Sequence, residues 1–100
     1  MEGAEFARLA LALEGTAEVA HFDRQAFRRR RIYASLAPDG ASANLLVSPE
    51  EQAHFAERFA GFVAPVANKW GARGWTRLSL PGCEAEVAAI LLRAAWSGSA

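Results

Sequence analysis

The chain has a single cysteine, two histidines, no run of apolar residues long enough for a membrane helix, and no net charge. Each shortage closes a class of explanation. Cys83 alone forms no internal disulfide and supplies no thiolate pair to zinc, which sets aside secreted disulfide scaffolds and zinc fingers. His21 and His54 stand 33 residues apart with no matching carboxylate or thiol pattern, so no metal centre is expected. No apolar run approaches the roughly 20 residues a spanning helix needs. The opening stretch MEGAEFARLALALEG carries acids where a signal peptide carries basic residues, and a soluble cytoplasmic protein is expected. No phosphate-binding glycine loop, nucleophile elbow, paired zinc-binding histidines or carboxylate dyad is present, nor is any repeat, so neither catalysis nor a cofactor is expected.

What remains is a chain of 100 residues with 52% hydrophobic content, of which 23 residues are alanine. The larger side chains suffice for one two-layer core in a single domain spanning residues 1–100. Phe6, Leu9, Ala10 and Leu13 recur at helical spacing, predicting a helix over 4–14 that stops at Gly15. Between Val19 and Leu36 short apolar and aromatic runs alternate with polar residues and predict strands. Asp39-Gly40 predicts a tight turn into a further strand over 43–47. Ser48-Pro49-Glu50-Glu51 is a capping box with proline at the first helical position, so a helix starts at Pro49 and ends near Gly61. Residues 62–66 and 74–80 predict two more strands around a loop over 67–73, and a final helix runs from about 84 to 96. The expected order is α-β-β-β-α-β-β-α, an α+β fold with an antiparallel sheet covered on one face by helices.

Charge is segregated beneath the neutral total. Residues 1–23 sum to −4, 24–48 to +4, 49–58 to −2, 59–81 to +3 and 82–100 to −1. With the acidic segments in the helical layer and the basic ones in the sheet, the open sheet face is positive. Two clusters stand out on that face. Arg28, Arg29, Arg30 and Arg31 cannot all point one way in a strand whose side chains alternate, so some fan out from a turn as bidentate phosphate donors or as a solvated tip. Lys69, Trp70 and Arg73 join cations to an aromatic ring on a loop, suited to stacking on a base. Trp75, within a strand, is expected in the core. Gly71-Ala72-Arg73-Gly74 fits a G-x-x-G clamp, but turning the backbone explains it as well. Cys83 is expected to be a small, partly buried residue at the start of the last helix.

The runs His21-Phe22-Asp23-Arg24-Gln25-Ala26-Phe27-Arg28, Ile32-Tyr33-Ala34-Ser35-Leu36, Ser48-Pro49-Glu50-Glu51-Gln52 and Trp70-Gly71-Ala72-Arg73-Gly74-Trp75-Thr76 together resemble the MmcQ/YjbR family. The likeness extends from the first helix to Trp96. It implies a two-layer fold similar to secretion-chaperone-like and frataxin-like (CyaY-like) domains, and DNA binding through two β-hairpin wings. Arg28 to Arg31 fall on the first wing, and Lys69, Trp70 and Arg73 on the second. One departure concerns the first wing: Ala26 to Tyr33 is a residue shorter than the family pattern and lacks its turn glycine. The resemblance therefore implies a non-enzymatic protein whose partner is double-stranded DNA. The alternative is a protein-interaction module, a monomer or weak homodimer, as chaperone-like folds suggest. A third possibility is a small-molecule pocket under Trp70.

Overall fold

The computed structural model describes residues 1–100. Helix α1 spans Gly3–Leu11; strands β1 (Ala17–His21), β2 (Arg24–Arg28), β3 (Ile32–Leu36) and β4 (Ser42–Leu46) follow. Helix α2 (Pro49–Arg58) leads to β5 (Val63–Pro65), a short 3-10 turn over Gly71–Arg73, β6 (Trp75–Ser79) and helix α3 (Ala85–Ser97). The sheet order is β1-β2-β3-β4-β6-β5, with every neighbouring pair antiparallel. The α+β class holds, but four strands rather than three precede α2. The additional strand arises because 17–28 folds as a hairpin, with His21 opposite Arg24 and only Phe22 and Asp23 between them. Phe22 takes a φ of 57°, the one non-glycine residue with positive φ, in a turn that normally calls for glycine or asparagine.

The capping box of α2 forms as its sequence demands. Ser48 Oγ accepts from the Glu51 amide at 3.0 Å, and Glu51 Oε1 accepts from the Ser48 amide at 3.0 Å. The Asp39-Gly40 turn forms too, Asp39 Oδ1 accepting from the Ala41 amide at 2.9 Å.

Alternation along the strands assigns the two faces of the sheet. Phe27, Ala34 and Leu45 pair across β2, β3 and β4 and are buried, while Leu36, Ala43 and Leu78 continue that face. Against them pack Phe6 and Ala10 of α1, Phe55 of α2 and Ala88, Leu91, Leu92 and Ala95 of α3, forming one core. A bulge between Phe27 and Arg28 turns Tyr33 to the same side as Ala34. Its hydroxyl shares a 2.7 Å hydrogen bond with Thr16 Oγ1 and donates to the Ala10 carbonyl at 3.4 Å, so the ring is fully buried with its polar end satisfied. The opposite face carries no helix.

Candidate functional site

The register sets the composition of the uncovered face. Val19 and His21 lie beside Ala26 and Arg24; Ser35, Asn44, Arg77 and Ala64 form one cross-strand row; Leu46 pairs with Trp75; and Arg28 pairs with Ile32. Its ionisable groups are His21 and the cations Arg24, Arg28 and Arg77. No aspartate or glutamate occupies these positions, since Glu18 pairs with Phe27 and so points to the helix side. The sheet therefore separates charge by face, as the alternating segments predict, although β1 belongs to an acidic segment and is not helical.

The second basic cluster sits where the β5–β6 connection rises at the end of the sheet that also bears the β2–β3 turn. Its shape comes from backbone approaches that only glycine permits. A Cβ on Gly71 would lie 2.1 Å from the Val66 carbonyl oxygen, and one on Gly74, at φ +104°, would lie 1.9 Å from that of Val47. The G-x-x-G run is thus explained by backbone geometry. From α2, Gln52 Nε2 donates to the carbonyls of Gly71 at 2.9 Å and Trp75 at 3.0 Å and lies 3.2 Å from Thr76 Oγ1, pinning both ends of the turn. Asn68 Oδ1 accepts from the Trp70 amide at 2.9 Å. On this support Trp70 keeps 45% of its surface exposed, with the Arg73 guanidinium 4.8 Å and the Lys69 ammonium 5.6 Å from its ring centre.

The first cluster divides. Arg28, Arg30 and Arg31 are exposed, and Arg29 is half-buried. Arg29 turns to the end of α3: its guanidinium stacks 3.9 Å from the Trp96 ring centre and donates to the Trp96 carbonyl at 3.0 Å. Arg31 donates to the Gly98 carbonyl at 3.1 Å. Both satisfy carbonyls at a helix C-terminus, where the dipole also favours a cation. The missing turn glycine is accommodated without positive φ at any of these residues, the Arg29 amide donating to the Arg31 carbonyl at 3.1 Å. Arg31 and Arg73, predicted on separate wings, line one shallow cleft with Ser48 and Glu51.

Trp75 is not in the core. Its pairing with Leu46 places it half-buried on the uncovered face, where it walls a cleft of about 340 Å³ beneath Trp70. Ile32 and Val66 complete the apolar walls, and Arg24, Ser35 and Asn44 supply polar groups. Arg24 is held by Ser35, donating from Nε to Oγ at 2.9 Å and from Nη2 to the carbonyl at 3.4 Å. Burial lowers its pKa, an effect opposed by the nearby charges of Asp23 and Asp39. Arg24 and Asn44 were not singled out by the sequence. A single arginine or asparagine in a strand carries no signal until pairing shows which residues adjoin it. Cys83 is buried just before α3, its Sγ 3.4 Å from the Glu84 carbonyl, and burial raises its pKa, keeping it a thiol.

A six-stranded antiparallel sheet with helices on one side and an uncovered face bearing Arg24, Arg28 and Arg77 on the other defines a two-layer α+β domain. The chain belongs to the YjbR family, whose model matches residues 11–97. Solved structures that share the fold include two proteins. A Deinococcus radiodurans protein with a DUF419 domain is 21% identical with TM-score 0.79, the match covering 96% of this chain and 77% of that one. A Pseudomonas syringae protein is 18% identical with TM-score 0.77, each chain covered in full. At such identities the likeness concerns the fold alone. No curated protein matches the chain.

Proposed function

We propose that this protein binds double-stranded DNA, without chemistry of its own, through the uncovered sheet face and the two turns at its end. The observation that supports this reading is the charge of that face: Arg24, Arg28 and Arg77 share its strand positions with no carboxylate, Asp23 and Asp39 lying in the turns near Arg24, and Lys69 and Arg73 extend it onto the loop. A cationic strip of this kind meets phosphates as fixed charges and bidentate guanidinium forks. Arg28, Arg30, Lys69, Arg73 and Arg77 are the exposed contacts. Arg29, half-buried, and Arg31, exposed, each donate to a carbonyl at the end of α3 and hold the first wing there. Trp70 adds an aromatic surface beside the cations, suited to a base or sugar.

Fluorescence anisotropy of a labelled duplex of about 20 base pairs, at several salt concentrations, tests the proposal. Neutralising about four phosphates gives a slope of log K against log salt of about −4. Binding that is absent at low salt, or independent of salt, overturns it and turns attention to a protein partner.

A further inference from the structure

The cleft under Trp70 has features that phosphate contacts do not use. Its walls include two indoles, Trp70 and Trp75, together with Ile32 and Val66. Its polar lining is His21, Ser35, Asn68, the Asn44 amide, both donor and acceptor, and the Arg24 guanidinium. Ser35 engages Nε and Nη2 of Arg24, so the group is oriented in advance and Nη1 remains to meet an anion. No aspartate or glutamate lines the cleft. Its volume of about 340 Å³ falls within the range of small-ligand sites, on the order of 300–1,000 Å³. Flat aromatic walls, an amide able to pair with a base edge, and a preset cation make up the chemistry that recognises a nucleotide.

We propose that this cleft is a nucleotide site, with the base against Trp70 and Trp75, its edge on Asn44 and its phosphate on Arg24. The inference deepens the DNA-binding reading and rests on the same face. A fully stacked, paired base does not reach such a cleft, so the occupant is either an unpaired nucleotide extruded from a duplex or a free mononucleotide. The site would then favour helices that contain an unpaired nucleotide.

Three probes separate the possibilities at one fixed salt concentration: a fully paired 20-base-pair duplex, the same duplex with a single-nucleotide bulge, and the four ribonucleoside monophosphates followed by indole fluorescence. The bulged duplex is expected to bind about tenfold more tightly than the paired one. Trp70→Ala and Arg24→Gln should each abolish that preference, and Trp70→Phe, which keeps a ring, should retain most of it. Arg28→Ala should weaken both duplexes equally. Saturable quenching by a monophosphate, lost in Arg24→Gln, assigns the site to free nucleotides as well; quenching only by the bulged duplex assigns it to nucleotides within a strand. Salt-dependent duplex binding with no bulge preference and no monophosphate binding overturns the nucleotide site and leaves the DNA-binding reading standing. Monophosphate binding without duplex binding does the reverse.

Discussion

The β2–β3 turn and the β5–β6 connection lie at the same end of the sheet, and both combine cations with a tryptophan, yet the structure uses them differently. In the first, Arg29 and Arg31 donate to the Trp96 and Gly98 carbonyls at the end of α3, and Trp96 is anchored by its Nε1 donating to the Glu14 carbonyl at 2.8 Å. That aromatic–cation pair ties the first wing to the helical layer. In the second, Gln52 already satisfies the Gly71 and Trp75 carbonyls, so Lys69 and Arg73 have the exposed Trp70 ring as their neighbour. A cluster of arginines and tryptophan is therefore structural where a helix end offers acceptors, and left exposed where another side chain has taken them.

The contrast can be broken at several points. The largest effect is expected for Gly74→Ala, which forces a Cβ onto the Val47 carbonyl at a positive φ. A loss of about 3 kcal/mol or more in denaturant unfolding should follow, with disorder of the Trp70 loop. Arg29→Ala should cost about 1–2 kcal/mol by removing its hydrogen bond to the Trp96 carbonyl and uncovering the Trp96 ring, with duplex affinity falling no more than about twofold; a larger loss of affinity than of stability would place Arg29 on the DNA instead.

Tyr33→Phe should cost about 1 kcal/mol through the lost hydroxyl contacts. The Tyr33 pKa is raised chiefly by burial, against the opposing effects of the Thr16 hydrogen bond and the Arg29 charge. The unfolded chain therefore ionises first as pH climbs past the ordinary value of 10.0, and stability falls from there upward. Tyr33→Phe should flatten that alkaline decline, readable from denaturation midpoints between neutral and strongly alkaline pH. Smallest is Phe22→Gly, expected to gain about 0.5 kcal/mol, because the ring is 93% exposed and the backbone left-handed.

Patterns with a local cause were legible in the sequence. The α2 capping box, the Asp39-Gly40 turn and the amphipathic helices depend on neighbours a few residues away, and the charge segregation shows in the segment sums, with β1 the strand that departs from it. The β1–β2 hairpin was not legible, because Phe22 occupies a position normally marked by glycine or asparagine. Trp75 was assigned to the wrong face for a related reason: a half-apolar strand reads equally well in either register, and only its pairing with β4 decides. The division of the four arginines depends on α3, which lies some 67 residues away in the chain. Arg24 and Asn44 gain meaning only where the sheet brings them under the Trp70 loop.

The most direct test compares two arginine-to-alanine variants in duplex binding across a salt series: Arg28, Arg73 and Arg77 together, and Arg29 with Arg31. The outward-facing set should lose duplex affinity, with the slope of log K against log salt shallower by about 2 to 3, at near-native stability. The pair tied to the end of α3 should lose stability and keep its slope. Unchanged binding in the first variant, or a loss of slope confined to the second, would contradict the assignment of the uncovered sheet face as the DNA-binding surface.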